Sequence, residues 1–246
     1  MNKIAIVIPA RYASTRFPGK PLHVLAGRPL IQHVWQAACR VGGIAEVIVA
    51  TDDERIAACA EDFGAVVRMT RGDHPTGTDR VAEVAAGLQG FSHVLNVQGD
   101  EPTIDPDLLE RLAESLSGDP SLPMITACCP FHNPKDAADP NAVKVVRNAA
   151  GDALYFSRSP IPYDRDGAGS CPPLRHLGVY GYRVDFLLEF VRWPQSPLES
   201  VEKLEQLRAL ERGARIGVIR TERETIGVDT PEDAERVEAL LVRESR

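Results

Sequence analysis

The sequence predicts an α/β fold, a mostly parallel sheet flanked by helices that also carries a smaller antiparallel subdomain, and three observations support this. Apolar strand-like runs alternate with helical patterns through the first half of the 246-residue chain, as in successive βαβ units. The runs Ile4–Ile8 and Val47–Ala50 are apolar throughout instead of alternating, which suits strands covered on both faces. From about Met124 to Tyr182 this rhythm breaks and prolines appear at 160, 162, 172 and 173, marking an inserted, largely antiparallel segment within a single domain spanning 1–246.

The elements follow in order. Strand Ile4–Ile8 is expected to end at Pro9, which has no N–H for a ladder, and to empty into a loop with cations at Arg11, Arg16 and Lys20. A helix from about Leu30 to Val41 sets Leu30, Ile31, Val34, Ala38 and Val41 on one face. Strand Val47–Ala50 leads to Thr51-Asp52-Asp53, which caps a helix carrying Ile56, Ala57, Ala60 and Phe63. Strand Ala65–Met69 opens into the polar loop Thr70–Arg80, followed by a helix to about Leu88. Strand His93–Val97 ends in Gln98-Gly99-Asp100-Glu101-Pro102. Beyond the inserted segment the pattern predicts helices around Val184–Val191 and Val201–Leu210 and a strand at Ile216–Ile219. A last helix is capped by Asp229 or Thr230, with Pro231 in its first turn.

Composition narrows the function. A net charge of −7, from 28 Lys and Arg against 35 Asp and Glu, disfavours non-specific nucleic-acid binding, which depends on neutralising phosphates. The chain enters its first strand at once, leaving no room for a signal peptide, and no segment reaches the roughly 18 apolar residues of a membrane span, so a cytoplasmic location is expected. Cysteines at 39, 59, 128, 129 and 171 contain no C-x-x-C pair, which argues for reduced thiols over zinc or a disulfide framework.

Against that acidic background the basic loop after the first strand stands out. Ligands of open α/β sheets bind beyond the carboxyl ends of the strands, so cations there point to an anion such as a triphosphate. Neither G-x-G-x-x-G nor G-x-x-x-x-G-K-[ST] is present, since Lys20 is followed by Pro21; side-chain cations take the place of a glycine cradle. Asp100, at a strand end, offers a hard oxygen ligand for magnesium, and Asp229 stands in a similar position. A turn cap at Asp100 and a helix cap at Asp229 are the competing structural readings.

The segments Ile8–Leu22, Ala50-Thr51-Asp52, Asn96–Pro102, Asn141–Val146, Ala153–Arg158, Arg175–Tyr182, Leu204–Arg208 and Gly227–Asp233 together resemble the 3-deoxy-manno-octulosonate cytidylyltransferase (CMP-Kdo synthetase) family, in order over nearly the whole chain. The resemblance implies a Rossmann-like nucleotidyltransferase fold, a homodimer, and activation of Kdo, an eight-carbon acidic sugar, by CTP for lipopolysaccharide synthesis. It implies that Arg11, Arg16 and Lys20, with Ala10, hold the CTP phosphates, and that Asp100 and Asp229 bind Mg2+. Arg71, Thr76, Gly77, Arg80 and Gln98 would face the nucleotide, although Pro75, Thr76 and Asp79 depart from the family's His-Gln-Ser-Gly-Thr-Glu-Arg loop. Gln98, Arg158, His176, Tyr182, Glu205 and Gln206 would line the sugar pocket, with the 124–182 subdomain serving sugar binding and dimerisation. A cytidylyltransferase for a related acidic sugar, or a silent nucleotide-binding protein on the same fold, are the alternatives. The joint presence of Lys20, Asp100 and Asp229 opposes the second.

Overall fold

In chain order the described residues form β1 (Lys3–Ala10), the short hairpin β2 (Val24–Leu25) and β3 (Arg28–Pro29), α1 (Leu30–Ala38), β4 (Glu46–Thr51), α2 (Glu54–Asp62) and β5 (Val66–Met69). There follow α3 (Gly77–Gly87), β6 (Phe91–Asn96), α4 (Pro106–Gly118), β7 (Met124–Pro130), β8 (Lys144–Arg147), β9 (Ala153–Ser157) and β10 (Leu174–Arg183). The chain closes with α5 (Val184–Phe190), α6 (Pro197–Glu202), α7 (Gln206–Glu211), β11 (Ile216–Arg220) and α8 (Pro231–Glu244). The structure is a computed structural model that describes residues 3–13 and 17–244; Arg16, expected among the phosphate ligands, lies outside them.

The sheet runs β11-β7-β10-β6-β1-β4-β5. Strands β6, β1, β4 and β5 are mutually parallel, as are β11 and β7, while β10 runs antiparallel between β6 and β7. The mixed α/β architecture, with a mostly parallel sheet between helices, is the one the sequence pattern predicts. Within 124–182, β7 and β10 belong to the central sheet, and β8 and β9 form an antiparallel arm held to β10 at Leu174 and Arg175.

Both faces of β1 are covered, which explains its unbroken apolar run. Ile4, Ile6 and Ile8 pack with residues of α1, α2, α4 and α8, whereas Val7 joins residues of α3, α5 and α7 on the opposite face. At about 1.5–3 kcal/mol for each fully buried aliphatic side chain, a strand in this position gains from being apolar at every residue.

Three expectations need correction. Strand β1 does not stop before Pro9 but continues to Ala10, pairing Pro9 with Ala50 of β4. Its pairing with β6 ends at Val7, so the proline falls where the strand has one neighbour and the missing donor is tolerated. The single helix expected over Val201–Leu210 is two, because Lys203 adopts a left-handed φ of 54° and breaks the chain between α6 and α7. Helix α4 was not anticipated, although Asp105 caps it, Pro106 occupies its first turn, and Leu108, Leu109, Leu112, Ala113 and Leu116 form its buried face.

Candidate active site

The carboxyl ends of β1 and β6, the start of α3 and the turn before α8 enclose one cleft of about 540 Å³. Ala10, Arg11, Lys20, Thr76, Gly77, Arg80, Gln98, Asp100 and Asp229 all line it, so nine of the residues singled out from the sequence share one cavity. Arg71 is not in its wall; its backbone N–H donates to Glu83 Oε2 at 3.2 Å and its guanidinium reaches outward toward Asp73.

Local backbone chemistry presents these groups. Gly19 precedes Lys20 with φ +72°, and a Cβ there would stand 3.1 Å from Cε2 and Cζ of Tyr12, so glycine lets the loop pass close to the ring. Gly99 allows a still closer approach, since a Cβ there would meet the carbonyl oxygen of Pro9 at 2.8 Å; the ends of β1 and β6 are drawn together at this point. Val228 N–H donates to the carbonyl of Asp100 at 2.8 Å, tying the turn before α8 to the end of β6.

Two carboxylates then converge on one cation. Lys20 Nζ donates to Asp100 Oδ2 at 2.6 Å and to Asp229 Oδ1 at 3.3 Å. The helix-cap reading of Asp229 gives way to Thr230. The Thr230 hydroxyl accepts the N–H of Asp233 at 3.3 Å, and the Asp233 carboxylate accepts the N–H groups of Asp229 and Thr230 at 3.1 and 3.0 Å. This reciprocal cap is made between Thr230 and Asp233, while the Asp229 side chain accepts from Lys20 Nζ.

Several neighbours in this region were not singled out from the sequence. Glu101, beside Asp100, has a buried Oε2 with no hydrogen-bond partner among the described residues. Burial, reinforced by the Asp100 charge and opposed by Arg175, pushes its carboxyl up to about 8, so it is mostly protonated at neutral pH. His74 lines the cleft with its ring Nε2 against Glu83 Oε2. Their sequence signals were adjacency alone: Glu101 follows Asp100, and His74 opens the segment ending at Arg80.

Arg80, at the cleft wall, is buried and bonds Thr70 Oγ1 at 2.5 Å and Asp52 Oδ1 at 2.9 Å, fastening the ends of β4 and β5. Thr76 caps α3 by accepting the N–H of Asp79 at 3.2 Å. Its hydroxyl also lies 3.2 Å from Glu205 Oε1, which links the cleft to a second group of residues.

Arg158, His176, Tyr182, Glu205 and Gln206 lie outside the cleft wall and form that second group. Glu205 accepts Thr78 Oγ1 at 2.6 Å and Arg208 at 3.0 Å, and its carboxyl is raised by burial against those favourable contacts. Tyr182 and Gln206 are buried, and the Tyr182 hydroxyl is held well above its usual value by the same cause. His176 sits between Phe156 and Tyr180, with Nε2 3.0 Å from Thr126 Oγ1, and burial depresses it to about 3. The Arg158 guanidinium donates to the carbonyls of Glu202, Pro140 and Lys203 at 2.7, 2.8 and 3.4 Å, tying the end of α6 to the segment before β8.

The cleft is suited to polyphosphate: Arg11 and Lys20 line it, α3 begins at its wall with Thr76 and Gly77, and a carboxylate pair there can share a cation. A family profile described as Cytidylyltransferase matches residues 5–216. A 3-deoxy-manno-octulosonate cytidylyltransferase of Syntrophotalea carbinolica is 53% identical, with 97% of this chain and 98% of that protein covered. One of Geobacter sulfurreducens is 49% identical, with 95% of this chain and 97% of that protein covered. Among solved structures, CMP:2-keto-3-deoxy-manno-octonic acid synthetase complexed with CTP superposes with a TM-score of 0.95 at 47% identity over 99% of this chain and 100% of its own. A 4-diphosphocytidyl-2C-methyl-D-erythritol synthase from Anaerococcus prevotii, at 16% identity and a TM-score of 0.66 over 98% of this chain and 97% of its own, shares the fold. The chain therefore belongs to the 3-deoxy-manno-octulosonate cytidylyltransferase family.

Proposed function

We propose that this protein transfers the cytidylyl group of CTP to Kdo, giving CMP-Kdo and diphosphate for lipopolysaccharide biosynthesis. The observation that carries the reading is the convergence of Asp100 and Asp229 on Lys20 inside a cleft that also holds Arg11 and the α3 start, in a chain half identical to cytidylyltransferases over its length. The anomeric hydroxyl of Kdo attacks the α-phosphorus, the bond from that phosphorus to the bridging oxygen breaks, and diphosphate leaves while the hydroxyl proton passes to solvent. Arg11 and Lys20 neutralise phosphate charge, Thr76 and Gly77 hold the nucleotide against the α3 start, and Gln98 reaches in from the end of β6. Positioning and electrostatics supply the acceleration, as in phosphoryl transfer generally.

Magnesium fits the donor set. Among the described residues no group of three or more His, Cys, Asp or Glu side chains could hold a metal by itself. Two carboxylates that already converge on a cation suit a hard ion that takes its remaining ligands from phosphate and water, so Asp100 and Asp229 would hold it. When bound, the ion supplies charge neutralisation and polarisation at the phosphate oxygens.

Sugar recognition and dimerisation are assigned to the 124–182 segment. Arg158, His176 and Tyr182 all belong to it, and exposed Leu154 and Tyr163, with Val201 on α6, leave apolar surface for a second copy. Arg158 N–H donates to Glu202 Oε2 at 2.9 Å, which makes the end of β9 and α6 neighbours. No helix is long and apolar enough to cross a membrane among the described residues, and a nucleoside triphosphate substrate fits a cytoplasmic enzyme. Pyrophosphate release measured with each of four NTPs, magnesium and a panel of acidic and neutral sugars tests the reading. CTP with Kdo is expected to give the highest rate by a wide margin. Equal rates with ATP or GTP, or a preference for another acidic sugar, would overturn it.

A further inference from the structure

Helix α3 begins at the cleft wall, and the group that holds its first turn comes from a distant part of the chain. Thr76, the N-cap, and Gly77 line the cleft, whereas Thr78, the next residue, is buried and stands outside the wall. The Thr78 hydroxyl donates to Glu205 Oε2 at 2.6 Å, and the Thr76 hydroxyl lies 3.2 Å from Glu205 Oε1 and 2.7 Å from Asp79 Oδ2. Glu205, 127 positions from Thr78, is held from its other side, where Arg208 Nη2 donates to Oε1 at 3.0 Å. Arg208 is itself buried and fixed by Glu199 and by the carbonyls of Phe190 and Trp193. Hydrogen bonds to a carboxylate are shorter and stronger than those between neutral groups, so the start of α3 is tied through Glu205 to a rigid anchor.

We infer that Glu205 is a positioning residue for the nucleotide: from outside the cleft wall it fixes, through Thr78 and Thr76, where the α3 start presents Thr76 and Gly77 to CTP. This rests on the reading that CTP occupies the cleft. It places Glu205 on the nucleotide side, in place of the sugar contact that the family resemblance implies. Both of its carboxylate oxygens already accept from the protein's own donors, Thr78 on one and Arg208, with Thr76 in reach, on the other. Glutamine at this position keeps the size but exchanges one acceptor oxygen for a donor amide, so the two threonines and Arg208 can no longer all be satisfied. The first turn of α3 then loses its tether, and small misplacements of groups that hold a substrate are costly.

The test is calorimetric CTP binding to the intact protein, with magnesium and without sugar, in the wild type, Glu205→Gln, Thr78→Val and the double variant. Thr78→Ser keeps the hydroxyl and serves as the rescue, and thermal melting shows whether each variant is folded. Glu205→Gln and Thr78→Val are each expected to weaken CTP binding by ~10-fold, the loss of a hydrogen bond to a charged group. The double variant should be little weaker than either single one, because both remove the same contact, and Thr78→Ser should bind as the wild type does. Wild-type CTP affinity in the folded Glu205→Gln and Thr78→Val proteins, with only the KM for Kdo raised, would overturn the inference and return Glu205 to the sugar. Multiplicative losses in the double variant would also overturn it, since the two residues would then act separately. Failure of the wild type itself to bind CTP would overturn the proposed function, and the inference with it.

Discussion

Lys20, Asp100 and Asp229 show how much chemistry a single contact set decides. Lys20→Ala is expected to leave the fold intact by circular dichroism and to lower turnover at least ~100-fold, as losing a transition-state charge contact commonly does. Near-normal steady-state rates would remove Lys20 from the mechanism. His176 bears on stability instead. Burial holds it at about 3 in the folded protein, against an ordinary value near 6.5, so the unfolded chain binds the extra proton between those values. Its contribution is present above about pH 6.5 and is lost as pH falls toward 3. Urea unfolding across that range is expected to show a shallower acid loss in His176→Gln than in the wild type, and identical slopes would mean that the ring is solvated. Residue types and their strand-end positions were legible in the sequence for Lys20 and Asp100. The choice between cap and ligand at Asp229 was not, because it depended on Thr230 and Asp233 forming the cap between themselves.

At the scale of elements, the close approach of β1 and β6 is the feature most sensitive to a single atom. Gly99→Ala places a methyl group 2.8 Å from the Pro9 carbonyl oxygen, and forcing these strand ends apart costs about 1–3 kcal/mol in denaturant unfolding, with a matching loss of turnover because Asp100 is the next residue. Wild-type stability and rate would show that the backbone yields there freely. The link between α6 and α7 makes a different demand. Arg208, buried, pairs with Glu199 at 2.9 Å and Glu205 at 3.0 Å, so Arg208→Met strands two carboxylates and is expected to destabilise by about 3–5 kcal/mol, read as a lowered urea midpoint. Strands and caps announced themselves through apolar runs and through Asp53, whereas the break at Lys203 carries no glycine or proline to signal it.

For the whole molecule, the alternation of strand and helix predicted a sheet whose carboxyl ends gather distant loops, and β1, β6 and the turn before α8 do meet in one cleft. The second group was less legible. Arg158 and Glu205 are polar residues in short segments, and only three-dimensional packing turns their bonds onto loop carbonyls and onto Thr76 and Thr78. What the fold achieves is to bring Asp100 and Asp229, 129 positions apart, to within bonding distance of one ammonium. The most direct check that these loops form a single catalytic unit is a double-mutant cycle of Asp100→Asn and Asp229→Asn, with turnover measured across magnesium concentrations. Each single change is expected to cut turnover by roughly 10²–10³ and to raise the magnesium concentration for half-maximal rate, and the double variant should lose far less than the product of the two, since residues acting as a unit are non-additive. Multiplicative losses with an unchanged magnesium dependence would contradict this and show two carboxylates acting independently.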